Sequence, residues 1–213
     1  MLLAPLLRVA VVDDAELGAG PWAAVALTSA NAARAINAHP RAAELLRLPA
    51  FTVGRRSAEG ARAAGFTAVT SANGNAQDLA RLLGSHRGSG GRILYLAGED
   101  RAGDLAADVG RYGVEVETVV VYRAEVLAHF PPLVQTALTA GQVDGVLHFS
   151  RRSAKAYVDC ADAAAIRDRA MAPPHFCLSG TVAEPLTAAG ATRIAVAPTP
   201  QEAALIDLVV PAG

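Results

Sequence analysis

Phe51–Thr67, FTVGRRSAEGARAAGFT, is the stretch whose reading decides the fold, because the chain carries it twice. Shifted by 125 positions it lies over Phe176–Thr192, FCLSGTVAEPLTAAGAT. Phe51/Phe176, Ala58/Ala183, Glu59/Glu184, Ala63/Ala188, Ala64/Ala189, Gly65/Gly190 and Thr67/Thr192 are identical, seven of seventeen without a gap. Each copy reads as a short β run, a corner of small and hydroxyl residues, and a helix stopped by glycine. An offset of 121 lays Ser29, Ala33, Arg34 and Ala35 over Ser150, Ala154, Lys155 and Ala156. Alanine supplies 48 of the 213 residues and inflates such matches. The Phe, Glu, Gly, Thr and Ser identities in consistent order do not come from composition. The chain reads as two related α/β halves.

Outward from this repeat, β-rich runs alternate with alanine-rich helical stretches. Strands are expected at Trp22–Ser29, Ala50–Val53, Arg92–Ala97, Val114–Val121, Val143–Phe149, His175–Leu178 and Arg193–Ala197. Helices are expected at Asn31–Ala38, Arg55–Ala64, Asn75–Leu83, Ala102–Tyr112, Leu133–Ala140, Ser153–Ala164, Val182–Ala189 and Gln201–Val209. Regular alternation of this kind predicts parallel sheets covered by helices.

Composition excludes several classes. With 52% hydrophobic and 18% charged residues the chain is no disordered polymer. A net charge of −1 gives no general pull toward nucleic acid or an anionic membrane. Lys155 is the only lysine, so the positive charge is nearly all arginine, the better fork for carboxylates and phosphates. No run reaches the roughly 18 apolar residues of a membrane helix, and Met1–Val12 lacks the marks of a signal peptide. Cys160 and Cys177 have no metal-ligand spacing, and a reducing, cytoplasmic setting is expected.

Chemistry is expected at the corners, where a strand ends, a helix begins, and the first N–H groups are unpaired. The corners are Thr28-Ser29-Ala30-Asn31, Gly54-Arg55-Arg56-Ser57-Ala58, Gly98-Glu99-Asp100-Arg101, Ser150-Arg151-Arg152-Ser153 and Ser179-Gly180-Thr181. In open α/β sheets such carboxyl ends line the ligand crevice. Two facing halves would present many anion-binding turns to one cleft, with arginines adding local charge. The plain alternative is that these hydroxyls only cap helices. Gly88-Ser-Gly-Gly91 precedes a strand and opens no helix, so it reads as a mobile surface turn and not a dinucleotide loop. His148 reads as a core histidine, and His39, His86, His129 and His175 show no partner spacing. Glu99-Asp100 is an acidic pair that fits a metal or, more simply, a helix cap. Tyr122 ends the run Val119–Tyr122, and its phenol is a candidate proton or hydrogen-bond donor.

In order and spacing, several of these segments resemble uroporphyrinogen-III synthase. They are Thr28-Ser29-x-Asn31-Ala32, Val53-Gly54-x-x-Ser57-Ala58, Gly98-Glu99-Asp100-Arg101-x-x-x-Leu105, Val121-Tyr122, Phe149-Ser150-x-x-Ser153 and Pro198-Thr199-Pro200. The similarity spans essentially the whole chain. It implies two flavodoxin-like parallel-sheet α/β domains joined by a two-stranded linker. The expected boundaries are a central domain at 14–118, a discontinuous outer domain at 1–4 and 128–213, and linker strands at 5–13 and 119–127. By this resemblance the chain is a cofactor-free, metal-free cytoplasmic monomer, a lyase of haem biosynthesis. It would cyclise hydroxymethylbilane, a linear tetrapyrrole with eight carboxylates, and invert the last ring. Tyr122 then assists hydroxyl departure. Thr28, Ser29, Asn31, Gly54, Arg55, Arg56, Ser57, Arg101, Ser150, Arg151, Ser153, Ser179, Gly180 and Thr181 are the expected substrate-binding positions.

The chain departs from the family pattern in places. Where the family has Gly-x-x-Thr-Ala, the first half has Gly54 and Ser57, while the second has Ser179 and Val182, which loses one hydroxyl. The outer domain is expected to lack its first β-α unit and to melt before the central one. A non-catalytic two-lobed binding module for a polyanion, or an inactive truncated homologue, is the alternative. A Rossmann-type transferase is disfavoured by the missing Gly-rich fingerprint.

Overall fold

The computed structural model describes residues 1–86, 91–101 and 103–209. The chain divides into a continuous unit, Val9–Ala124, and a split unit, Met1–Arg8 with Glu125–Gly213. The strands are β1 (Leu7–Val11), β2 (Trp22–Leu27), β3 (Ala50–Thr52), β4 (Val69–Ser71), β5 (Arg92–Gly98), β6 (Val116–Val126), β7 (Val146–His148), β8 (His175–Cys177) and β9 (Ile194–Val196). The helices run α1 (Ala30–Ile36), α2 (Ala42–Leu45), α3 (Arg55–Ala63), α4 (Ala76–Ser85), α5 (Leu105–Gly110), α6 (Pro132–Thr139), α7 (Arg151–Ala163), α8 (Arg167–Met171), α9 (Gly180–Ala188) and α10 (Glu202–Asp207).

In the continuous unit the sheet order is β1-β6-β5-β2-β3-β4. β5 and β3 pair parallel on either side of β2, and β4 and β6 extend the parallel sheet outward. Sequence alternation explains the two cores. Val25, Leu27, Leu94, Leu96, Val119 and Val121 face one layer with Ala32, Ala33, Ile36 and Ala61 of α1 and α3. Ala24, Ala26, Ile93, Tyr95 and Ala97 face the other, with Leu79 and Leu83 of α4 and Leu105 and Val109 of α5. A sheet buried on both faces needs the near-continuous apolar runs seen in β2 and β5.

β1 runs antiparallel to β6: Leu127 N donates to Leu6 O at 2.9 Å and Val12 N to Val121 O at 3.0 Å. Arg8 grips Glu125 between these bonds, its Nε and Nη2 at 3.1 and 2.9 Å from Oε2. The chain passes between its two units along these two strands. The split unit holds the parallel sheet β7-β8-β9. Its core is built by Phe130, Leu138, Tyr157, Cys160, Met171, Cys177 and Leu186.

The repeat is literal in the backbone. α3 begins at Arg55 and ends at Ala63; α9 begins at Gly180 and ends at Ala188, the same offset of 125. Gly65 and Gly190, which close the two copies, have φ of +105° and +95°. Both sit in the left-handed region where a side chain is strained, so glycine is required at each. Ser29 and Ser150 are N-caps of α1 and α7, the pair related by 121.

Some expectations shift. The run expected at Val114–Val121 is the strand Val116–Val126, so Tyr122 lies inside β6 and does not end it. Pairing to β5 on one side and β1 on the other carries β6 past the point where apolar letters stop. The helix expected from Ala102 is α5, starting at Leu105, because Asp104 accepts from Ala107 N and caps it. β4, α2 and α8 lie outside the expected elements, each being five residues or fewer and too short to show a period. Residues 88–90 of the Gly88–Gly91 turn lie outside the described residues. No helix among the described residues is long and apolar enough to cross a membrane.

Candidate active site

In the continuous unit, β2, β3 and β5 are neighbours, so their carboxyl-terminal tips lie side by side. Ser29 accepts from Asn31 N at 3.1 Å, and Arg34 reaches Asn31 Oδ1 at 3.4 Å. Ser57 is buried, and its hydroxyl donates to the Thr28 carbonyl at 3.2 Å. It therefore ties the start of α3 to the β2 tip and does not offer a free hydroxyl. Gly54 is the N-cap of α3, with no side chain between solvent and the first-turn amides. Arg55 and Arg56 open that helix and are exposed. Arg55 is 3.7 Å from Glu59, a pair with side chains 90% and 66% exposed that holds the guanidinium weakly.

Thr28 Oγ1 and Tyr95 Oη are hydrogen-bonded at 2.9 Å, joining the β2 tip to β5. Burial raises the Tyr95 pKa; its hydrogen bond to Thr28 and the charge of Arg101 pull it down, and Tyr122 pushes it up. Arg101 Nη1 donates to Gly98 O at 3.0 Å. The half-buried Tyr122 lays its phenol over Gly98, and Glu99 N donates to Tyr122 O at 3.0 Å. Beside them is an open cavity of about 530 Å³, lined by Tyr95, Glu99, Arg101, Asp104 and Thr118 among others.

In the split unit, β7 and β8 are neighbours and bring two further tips together. Ser150 accepts from Ser153 N at 3.1 Å, and the two hydroxyls are 2.7 Å apart. Arg151 donates to Glu184 Oε2 at 3.0 Å, which links α7 to α9. Ser179 occupies the N-cap of α9 without a side-chain cap bond; its hydroxyl meets that of Thr181 at 2.9 Å. The first-turn amides of α9, beginning at the exposed Gly180, are left uncapped by the Ser179 side chain.

The structure thus gathers Thr28, Ser29, Asn31, Gly54, Arg55, Arg56 and Ser57 on adjacent tips, with Arg101 and Tyr122 at the β5–β6 edge. Ser150, Arg151, Ser153, Ser179, Gly180 and Thr181 form a second group on the split unit. Tyr95 is absent from the sequence-based candidates; its only signal is an aromatic in a strand shortly before a tip. Glu99 and Asp100 do not cap α5, which Asp104 does. Among the described residues no group of three or more His, Cys, Asp or Glu is placed to hold a metal ion.

Two parallel-sheet units joined by paired strands, with polar corners at the strand ends, define a two-domain α/β protein of flavodoxin-like type. The profile of the family described as Uroporphyrinogen-III synthase HemD matches residues 2–207. The chain belongs to that family of haem-biosynthesis enzymes. Uroporphyrinogen-III synthetase from Helicobacter pylori has a similar structure, with a TM-score of 0.60 and 19% identity over 96% of this chain and 89% of that one. A mutant uroporphyrinogen III synthase from the extremely thermophilic bacterium Thermus thermophilus gives 0.44 and 17% over 98% and 87%. The first likeness shows the fold. No curated protein matches the chain. The comparisons support the family reading and supply nothing for a non-catalytic binding module.

Proposed function

We propose that the chain is a lyase that converts hydroxymethylbilane to uroporphyrinogen III, working as a cytoplasmic monomer without cofactor. The family match over residues 2–207 carries this reading. Each unit offers groups for the substrate's carboxylates. In the continuous unit these are the amides opening α3, with Thr28, Ser29, Asn31 and the arginines at 55, 56 and 101. In the split one they are the amides opening α9, with Ser150, Arg151, Ser153, Ser179, Gly180 and Thr181. Helix N-termini suit this task because their unpaired N–H groups and positive dipole ends favour anions.

Reaction starts when the hydroxymethyl C–O bond breaks and the oxygen leaves as water, the pyrrole nitrogen supplying the electron pair. Tyr122 donates the hydrogen bond, and in the limit the proton, to that oxygen and regains it from solvent. The resulting azafulvene cation is attacked by the substituted carbon of the terminal ring. The spiro intermediate then fragments and recloses at the other α-carbon of that ring, which releases its proton to solvent, so the ring ends inverted and the product neutral. Uncatalysed closure gives the uninverted isomer, so the protein acts chiefly by holding the reacting carbon in place.

The test is to incubate the chain with hydroxymethylbilane and resolve the type III from the type I product. Type III in excess is expected, and type I alone refutes the reading. Tyr122→Phe is expected to lower kcat about tenfold to a hundredfold with little change in KM, the signature of a group that acts in the transition state.

A further inference from the structure

We infer that Gly98 is a positioning residue for the reaction, its missing side chain being the space that holds the Tyr122 phenol in place. The inference rests on the role proposed for Tyr122 above. A Cβ on Gly98 would stand 2.6 Å from Tyr122 Cζ, 2.7 Å from its Oη and 2.9 Å from Cε2. Outside the adjoining residues, the three nearest described atoms to that point all belong to the phenol, so the phenol excludes a side chain there.

Backbone conformation does not demand this glycine, since Gly98 is absent from the positive-φ residues. Glycine weakens a strand it occupies, and one buried at the end of β5 needs a reason. The ladder supplies one. β5 and β6 pair regularly through Ala97↔Val120; a bulge then skips Val121 and sets Gly98 opposite Tyr122. Without the bulge the residue opposite Gly98 would be Val121, which is fully buried in the core. Bulges re-aim side chains at strand ends in this way. The backbone of the pair is fixed from both sides, by Glu99 N on Tyr122 O at 3.0 Å and Arg101 Nη1 on Gly98 O at 3.0 Å. What has to give on adding a methyl group is therefore the phenol tip, the reacting end.

Gly98→Ala in the full chain tests this. Incorporating 3-fluorotyrosine labels Tyr95, Tyr112, Tyr122 and Tyr157, and Tyr122→Phe identifies the Tyr122 fluorine signal by its loss. In Gly98→Ala that signal is expected to move while those of Tyr112 and Tyr157 stay; an unmoved signal overturns the inference whatever the activity. Formation of the type III product is expected to fall about tenfold to a hundredfold in kcat, as for a reacting group misplaced by about an ångström. KM is expected to hold within about twofold. In a Tyr122→Phe background, Gly98→Ala is expected to cost no further kcat, and an equal loss in both backgrounds overturns the inference. If Tyr122→Phe alone leaves the rate unchanged, the reading of Tyr122 falls, and the fluorine signal alone decides the positional claim. Should Gly98→Ala unfold the chain, adding Tyr122→Ala restores the room; a folded double variant supports the inference and an unfolded one overturns it.

Discussion

His148 Nε2 and His175 Nδ1 lie 3.1 Å apart on neighbouring parallel strands, hydrogen-bonded in the core of the split unit. Tyr157 meets both rings edge-on, at 5.2 and 5.7 Å between centroids, and donates its own hydroxyl to Ala170 O at 2.9 Å. One imidazole must donate and the other accept, so charging both would set two N–H groups against each other. His175 Nε2 has no hydrogen-bond partner of normal geometry among the described residues.

These rings make the split unit acid-sensitive. Burial, with the neighbouring His175 adding to it, pushes the His148 pKa down to about 3. Burial lowers that of His175 too, although the backbone at Met171 and Ala170 pulls it back up. Both rings are neutral when folded, while an unfolded chain charges them below about pH 6.5, so acid favours unfolding. Stability is complete above that pH and is lost as pH falls, down to about 3 in the case of His148, by at most about 1.4 kcal/mol per pH unit for each ring. Hydrogen exchange at pH 7 and pH 5 is the measurement. Protection is expected to drop across 128–209, while fluorescence of Trp22, the one tryptophan, keeps reporting an intact continuous unit. Equal protection at both pH values rules this out.

Gly60→Ala is expected to destabilise the continuous unit. The new Cβ would fall 2.5 Å from Ala30 Cβ and 2.9 Å from Ala30 Cα, and backbone cannot give way as a side chain does. Overpacking of this sort costs about 1–3 kcal/mol, against about 1 kcal/mol gained from helix propensity. Gly110→Ala is the counterpart: beyond its own helix turn, no described atom lies within 4 Å of its Cβ position, and denaturant midpoints should be unchanged or slightly higher.

Thr28 and Tyr95 should prove coupled. Thr28→Val leaves the Tyr95 hydroxyl, on a residue only 4% exposed, without its partner. The expected cost is about 1–3 kcal/mol. Thr28→Val combined with Tyr95→Phe should cost less than the sum of the two, with a coupling of about 1 kcal/mol in urea unfolding. Simple additivity argues that the bond contributes nothing.

Arg55→Ala and Arg56→Ala separately test charge at the α3 tip. Each is expected to raise KM for hydroxymethylbilane severalfold at low salt with kcat unchanged, and the effect should fade as salt screens these exposed groups. A loss in kcat instead would place the arginine at the reacting ring.

The repeat is the most legible feature of the sequence because it is written in one copy's spacing and checked by the other's. Gly65 and Gly190 mark where each helix stops, and Ser29 and Ser150 where each begins. Those are local decisions of capping and backbone freedom, which adjacent letters record. Contacts across strands are not local. Nothing near His148 announces His175, twenty-seven residues on, and neither shows a partner by spacing. Gly98 looks like one more small residue in a corner until a bulge puts Tyr122 against it. Ser57 reads as a ligand hydroxyl; only the sheet order shows it turned toward the Thr28 carbonyl. At the acid pair Glu99-Asp100 the helix starts later than expected, because Asp104 is the better-placed cap.

The paired strands β1 and β6 also impose an order on how the molecule is made. Val9–Ala124 leaves the ribosome as an unbroken stretch and holds β2 to β5 whole. Leu6 and Arg8 must wait for Leu127 and Glu125, 117 positions later in the case of the ion pair. The split unit is then completed only late in synthesis.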